Sequence, residues 1–431
     1  MKKVAFCTLG CKVNQYETNA MEEKFINSGY EVVSFENVAD VYVINTCTVT
    51  NMSDKKSRQM IRKAKQLNKD SIVLAVGCYA QVSKEKLEEI KEVDLILGNN
   101  EKKEIVQYVE QFEKLKFIHL EDVMRQKEFI DFGTTVHIEK TRAVIKVQDG
   151  CDRFCSYCII PYARGRVRSR NLESVIEEVV ALANKGVKEV ILTGIHIASY
   201  GKDFKKDITL IDLLEEINKI YGIERIRLGS LEPTIIDEKF LERLYKLDKI
   251  CHHFHLSLQS GCDETLKRMN RKYTTAEFKK VVELLRNTYK DVILTTDIIV
   301  GFPGETEEEF KKTYGFLKDI AFYKMHIFKY SRRKGTKADL MENQIAPQIQ
   351  DERSKKLLEL SDENQKDYNN KYIGRTLEVL FEEKQGECIK GHTGNYLVVN
   401  IKDNDISKYH NKIFQIKITG TLGEELVGEL V

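Results

Sequence analysis

Tryptophan is absent from this chain of 431 residues, and only four prolines occur. Little therefore interrupts regular structure, and helices and strands of ordinary length can form throughout. There is no run of 18 apolar residues, so no candidate membrane span exists. The opening MKKVAFCTLG turns polar at once, without the apolar core of a secretory signal. A cytoplasmic protein with no membrane contact is expected. Charge of one sign is lacking as well, since 69 Lys and Arg face 67 Asp and Glu, a formal net of +2. Whole-chain charge thus argues for no polyanionic partner, no DNA partner is expected, and RNA must be argued from local patches. Solenoid repeats and low-complexity tracts are absent too.

What is present is a set of ten cysteines. In a reducing compartment these are free thiols, and their spacing points to metal or catalysis rather than to disulfides.

The apolar runs VAFCTLG, VYVINTC and IVLAVGC alternate with helical segments at 18–28 and 54–68. With a weaker strand at 94–98 and a helix at 101–114, they predict an N-terminal parallel α/β domain over 1–120. Residues 121–140 read as a connection. The rhythm then restarts with AVIKVQ, KEVILTG, ERIRLGS, HFHLSLQ, VILTTDIIVG and YKMHIFKY, separated by helices at 172–186, 208–220, 237–247, 275–288 and 305–319. Six strand–helix steps predict a central partial (β/α)6 barrel over 137–368, with chemistry at the carboxyl ends of its strands and a linking helix at 348–369. Beyond it, TLEVLFEE, NYLVVNI and KIFQIKITGTL with glycine and asparagine turns predict a small C-terminal all-β barrel over 371–431. The fold class is α/β.

The strongest chemical signal is CDRFCSYC, which places Cys151, Cys155 and Cys158 directly after the first barrel strand. Three thiolates on so short a loop can hold one side of a cuboidal iron–sulfur cluster, leaving the fourth iron open to a small molecule. A structural zinc site would want a fourth protein ligand, and none lies nearby in the sequence. Cys11, Cys47 and Cys78 each end a predicted strand of the first domain, in LGCKVNQ, INTCTVT and VGCYAQ. In a parallel sheet those ends share an edge, so the three can converge on a metal; by position alone they read equally well as three buried cysteines. Cys7, Cys251, Cys262 and Cys388 have no partners at ligand spacing and read as core thiols.

Taken with GCKVNQYE and IIPYARGRVRSR, these motifs resemble the radical S-adenosylmethionine methylthiotransferases along essentially the whole chain. The resemblance implies two [4Fe–4S] clusters. One, on Cys151, Cys155 and Cys158, is the catalytic trio that binds S-adenosylmethionine and cleaves it to a 5′-deoxyadenosyl radical. The other, auxiliary and sulfur-carrying, is on Cys11, Cys47 and Cys78. It also implies an electron donor protein as partner. The cofactor is expected at the remaining strand ends. Thr193 and Gly194 in LTGIHIASYG resemble the family's element for the methionine amino group. Ser230, Ser257 and Gln259 follow the next strands, Gly301 and Gly304 would permit close approach to adenine, and Arg271 would pair with the methionine carboxylate.

Residues 151–170 hold five arginines against Asp152, and 324–337 hold six basic residues and no acid, with Phe328 and Tyr330 interleaved. Basic groups contact phosphates and aromatics stack on splayed bases, so Arg164, Arg166, Arg168, Arg332, Arg333 and Lys334 are the candidate RNA contacts. A further basic run at 55–69 lies on a predicted helix. The terminal barrel resembles the TRAM domain, although residues 371–431 carry 8 basic and 9 acidic side chains. CTLGCKVNQYE, CSYCIIPYARGRVRSR and TGIHIASYG look most like the branch that acts on threonylcarbamoyladenosine beside the tRNA anticodon, in the anticodon stem-loop. The branches acting on isopentenyladenosine and on a ribosomal-protein aspartate remain alternatives, as do a radical enzyme that only methylates and a non-catalytic iron–sulfur RNA-binding protein.

Overall fold

The apolar runs near the N-terminus form strands because both of their faces are covered, as in most parallel sheets. In a computed structural model of the chain, which describes residues 1–112, 117–133, 141–403 and 405–431, β1 (Lys3–Thr8), β2 (Glu31–Val33), β3 (Val41–Thr46), β4 (Ile72–Gly77), β5 (Leu95–Leu97) and β6 (Phe117–His119) make a parallel sheet in the order β2-β1-β3-β4-β5-β6. Helices α1 (Lys12–Asn27), α2 (Asn51–Leu67), α3 (Cys78–Val82), α4 (Lys84–Glu88) and α5 (Ile105–Glu110) cover it. The edge strands β2 and β6 were not expected, being only three residues long and without a clear apolar run. Helix α1 starts six residues earlier than the apolar spacing predicts, because its buried face includes Asn14, Glu17 and Thr18. The helix expected at 101–114 is a 3-10 turn at Glu101–Glu104 followed by α5, and residues 113 and 114 lie outside the described ones. So does residue 137, the expected start of the central unit.

The central strands are β7 (Arg142–Asp149), β8 (Arg168–Ser169), β9 (Glu189–Gly194), β10 (Arg225–Leu228), β11 (His253–Gln259), β12 (Ile293–Val300) and β13 (Lys324–Lys329). Apart from β8, a two-residue antiparallel edge on β7, they are parallel. The sheets β10-β9-β7-β8 and β11-β12-β13 are joined by isolated parallel bridges, Ile226 to Ile250 and Leu231 to Leu256. The result is the open partial barrel that the repeated strand–helix rhythm predicts. Around it lie α6 (Ile160–Arg164), α7 (Leu172–Asn184), α8 (Leu210–Asn218), α9 (Glu238–Tyr245), α10 (Asp263–Arg268), α11 (Thr275–Thr288) and α12 (Glu307–Ile320). Both α11 and α12 open with capping boxes, Thr274 with Glu277 and Thr306 with Glu309, which satisfy otherwise orphaned N–H groups. Helix α13 (Pro347–Asn370) leads to a closed barrel of β14 (Thr376–Gln385), β15 (Cys388–Thr393), β16 (Val398–Lys402), β17 (Ile413–Leu422) and β18 (Glu425–Leu430). That is five strands where three were expected: the stretches CIKGHT and ELVGEL lack a run of consecutive apolar residues, each being broken by glycine and by charged or polar residues. No helix among the described residues is long and apolar enough to cross a membrane.

Charge joins the first unit to the second. The carboxylate of Glu17 on α1 accepts from Lys102 at 2.5 Å, Lys146 of β7 at 2.7 Å and Arg164 at 2.7 and 3.0 Å. Asp149 receives Lys146 at 2.6 Å and Arg164 at 3.2 Å, with Arg168 at 3.6 Å. All six side chains are buried. Burial alone would raise the pKa of Glu17, but the charges of Arg164, Lys102 and Lys146 hold it well below the usual carboxylate range. The third unit docks through Arg142 on Glu382 at 2.8 Å, Arg225 on the His392 carbonyl at 2.9 Å and Arg375 on Asp291 at 2.7 Å.

Removing the Glu17 charge should therefore uncover buried cations. Glu17→Gln is expected to lower unfolding free energy at pH 7 by about 3 kcal/mol, measured by urea denaturation. A depressed folded pKa gives stability that is complete above the unfolded value, near 4.3, and lost as the pH falls toward the folded one, so the gap between variant and wild type should narrow below about pH 4. A gap that is equally wide in acid would contradict this account.

Candidate functional site

The carboxyl ends of the barrel strands open onto a cavity of about 870 Å³, whose lining includes Cys11, Cys151, Cys155 and Cys158. The loop carrying the last three leaves β7 at Gly150, whose φ is +71 and where a Cβ would lie 1.8 Å from the Arg166 carbonyl oxygen. Only glycine fits there, and the Cys151 N–H donates to the Gly165 carbonyl at 3.1 Å. The segment after α10 pins the far side: the Ser156 N–H donates to the Met269 carbonyl at 3.0 Å and Asn270 to the Phe154 carbonyl at 3.0 Å. Phe154 is held in the left-handed region at φ 46, a strain that such bonding sustains. Two N–H groups point at sulfur, Arg271 Nη1 to Cys155 Sγ at 3.3 Å and the Arg153 N–H to Cys151 Sγ at 3.5 Å.

Cys11, Cys47 and Cys78 follow β1, β3 and β4, which are neighbours in the sheet, so their thiols gather at one edge. Cys11 is the N-cap residue just before α1, and Cys78 is the first residue of α3. A Cβ on Gly10 would lie 2.8 Å from Cys47 Sγ, so the missing side chain is what lets this loop approach. Arg164 Nε, anchored on Glu17, donates to Cys78 Sγ at 3.2 Å, and Asn99 Nδ2 lies 3.8 Å from it. Burial pushes the Cys47 and Cys151 thiols up to about 11 and that of Cys158 to about 12. Buried cysteines of this kind give up their proton most readily to a metal.

The donor set also discriminates between metal types. Among the described residues, the groups whose ligand atoms all fall within 4.8 Å of one another are His255 with Asp297 and His326, and Glu101 with His119 and Glu121; neither cysteine trio is drawn that tight. A single tetrahedral zinc, with Zn–S near 2.3 Å, would want sulfurs about 3.8 Å apart. Each trio offers three thiolates with N–H donors on sulfur, a donor chemistry that fits the [4Fe–4S] group it would hold.

Of the expected small-molecule contacts, Thr193, Gly194, Ser230, Ser257, Gln259 and Arg271 line the cavity. Ser230 and Ser257 share a hydrogen bond of 2.6 Å, and Arg271 Nη2 donates to the Ser257 carbonyl at 3.1 Å. Gly301 and Gly304 do not reach it. They shape the turn after β12, with φ of +69 and +75, and the open face of Gly301 is filled by Gln350 of α13. Other lining residues went unread in the sequence, among them His196, Glu232, His255 and Tyr396. Burial would raise the pKa of Glu232, but the hydrogen bond from His196 at 2.9 Å and the charges of His196, Arg271 and Arg153 bring it down to about 2. Tyr396, from the β15–β16 turn of the terminal barrel, stands at φ 74. No local sequence signal marks these residues, since only the meeting of distant strand ends brings them together.

The basic side chains need correction. Arg164, Arg168 and Arg333 are buried and engaged, Arg164 and Arg168 in the Glu17–Asp149 network and Arg333 on Asp54 at 2.8 Å, so they are not RNA contacts. Tyr330 is buried against Phe302, which leaves Phe328 as the exposed aromatic of that run. Arg166, Arg332 and Lys334 are exposed.

Comparison with known proteins places the site in context. Residues 145–317 match the model of the Radical SAM superfamily, and residues 3–98 match Uncharacterized protein family UPF0004. The chain is 42% identical to a threonylcarbamoyladenosine tRNA methylthiotransferase MtaB of Bacillus subtilis, over 97% of this chain and 94% of that protein. It is 46% identical to the protein of the same name from Aquifex aeolicus, over 89% and 93%. A solved structure of the radical S-adenosylmethionine methyltransferase TsrM from Kitasatospora setae shares the fold, with a TM-score of 0.56 at 15% identity over 76% of this chain and 73% of that one.

The raised thiols make a direct test. In metal-free protein at pH 8, Cys47, Cys151 and Cys158 should react with iodoacetamide more than about tenfold more slowly than a free thiol of pKa near 8.5, because the small thiolate fraction outweighs the greater nucleophilicity of a high-pKa thiolate. Mass-resolved labelling reads each rate, and rates within tenfold of the urea-unfolded chain would refute the assignment.

Proposed function

The chain belongs to the tRNA methylthiotransferases of the radical S-adenosylmethionine superfamily, and on that premise we propose that it places a methylthio group on C2 of N6-threonylcarbamoyladenosine beside the tRNA anticodon. The observation that carries this reading is that Cys11 lines the same cavity as Cys151, Cys155 and Cys158, so that a base entering it lies between the two trios. That C2 carbon is unactivated toward polar substitution. When bound, S-adenosylmethionine and the clusters supply the electron, the radical, the methyl group and the sulfur that it needs.

The protein's own groups hold and orient. Cys151, Cys155 and Cys158 bind the cluster that takes S-adenosylmethionine, and Cys11, Cys47 and Cys78 bind a second [4Fe–4S] cluster. Arg271 bonds to Cys155 and to the Ser257 carbonyl, so its guanidinium stands at the first cluster with donors left for the methionine carboxylate. Thr193, Gly194, Ser230, Ser257 and Gln259 complete the small-molecule wall. Arg164 tunes the second trio through its bond to Cys78.

The RNA reading rests on exposed Arg166, Arg332, Lys334 and Phe328. Arg332, itself exposed, donates to the Asp339 carboxylate at 2.6 Å and to its carbonyl at 2.7 Å, which holds the guanidinium at the surface. The terminal barrel, read as TRAM-like, adds Tyr396 to the cavity wall. Transfer RNA and a protein electron donor put the reaction in the cytoplasm.

Anaerobic holoenzyme given reductant, S-adenosylmethionine and a stem-loop containing threonylcarbamoyladenosine should yield the 2-methylthio nucleoside by mass spectrometry. Product on an isopentenyladenosine stem-loop alone would move the assignment to that substrate. Replacing Cys11, Cys47 and Cys78 together by alanine should lower iron from about eight to about four per chain and abolish the methylthio product while 5′-deoxyadenosine still forms. Unchanged iron would remove the second cluster from the account.

A further inference from the structure

One corner of the cavity is built where all three units meet. Lys12 of the first, Arg227 and His253 of the second, and His392 and Tyr396 of the third line it together. The Tyr396 ring is its floor, with the Arg227 guanidinium 4.5 Å, the Arg142 guanidinium 5.6 Å and the Lys12 ammonium 6.0 Å from the ring centre. The left-handed backbone of Tyr396 is a strain of the kind found where a ligand is gripped.

The charges in this corner do not balance. Arg227 is held by Glu189 at 2.6 Å and bonds to the Gly394 carbonyl at 3.1 Å, while Arg142 is held by Glu382 at 2.8 Å. Three cations thus face two carboxylates, and Lys12 is the one with no hydrogen-bond or ion-pair partner among the described residues. Its position is unfavourable in a second way. It opens α1, whose first turn contains no acid and whose N-cap offers no side-chain bond, so the cation sits against the positive end of the helix dipole. Lys12 lines the cavity and is exposed to it, so the ammonium can be reached by a ligand. An anion bound here would relieve each of these costs. His253 and His392 are held neutral chiefly by burial and do not compete for that anion.

Threonylcarbamoyladenosine differs from other N6-substituted adenosines in ending in a carboxylate. We propose that Lys12 is a specificity-determining residue, its ammonium receiving the carboxylate of the threonylcarbamoyl group over the Tyr396 ring. This rests on the substrate reading above. An apolar N6 substituent would leave the ammonium desolvated and unpaired, so the corner also selects against such substrates.

The test is binding, which needs no turnover. Fluorescence anisotropy with holoenzyme compares a stem-loop carrying threonylcarbamoyladenosine with the same RNA whose threonyl carboxylate is a neutral carboxamide. Wild type should prefer the carboxylate by about tenfold or more, Lys12→Met should bring the ratio close to one, and Lys12→Arg should keep most of it. A wild type without preference, a Lys12→Met ratio equal to the wild type's, or an equal weakening of both RNAs would overturn the proposal. The function stands or falls separately on mass spectrometry of the wild-type product. Carboxylate preference without methylthio product would leave the subsite and remove the reaction; product with a preference indifferent to Lys12 would do the reverse.

Discussion

A carboxylate removed from water must be surrounded by donors, and Glu17 meets that demand with Lys102 from its own unit and Lys146 and Arg164 from the barrel. A buried carboxylate with fixed donors allows one register. Arg164 then spans the junction, with Nη1 on Glu17 and Asp149 and Nε on Cys78, so the contact that joins the units also sets the surroundings of one cysteine trio.

Parallel strands explain why so much chemistry converges. Each βα step delivers a residue to the carboxyl edge of its sheet, and two such edges face one cavity here. Cys11, Lys12 and Val49 arrive from the first, while Cys151, Thr193, Ser230, Ser257 and Asp297 arrive from the second. The terminal barrel closes the remaining side with His392 at the end of β15 and Tyr396 in the turn that follows. Residues from all three units thereby contribute to one wall.

Polar residues are concentrated at these junctions, and they are paired. Arg170 bonds to Glu178 and to the Tyr16 hydroxyl, Arg225 to the third unit, and Arg333 to Thr48 and Asp54. Many of the basic residues that look like an RNA surface in the linear sequence are therefore structural. The exposed remainder, such as Arg166 and Lys334, is what a phosphate backbone can reach.

Period and spacing along the chain were enough to determine the alternation of strands and helices, the open barrel, the terminal β-barrel and the CDRFCSYC loop, because these depend on residues close in sequence. The start of α1 escaped because its buried face is partly polar, and the strands β15 and β18 because glycine and charged or polar residues break their apolar runs. Which cations are spent on internal carboxylates, that Gly301 and Gly304 pack against a helix rather than the cavity, and that Lys12 meets Tyr396 were decided only by the tertiary structure. Those outcomes turn on which distant side chain occupies the space opposite, and no local pattern carries that information.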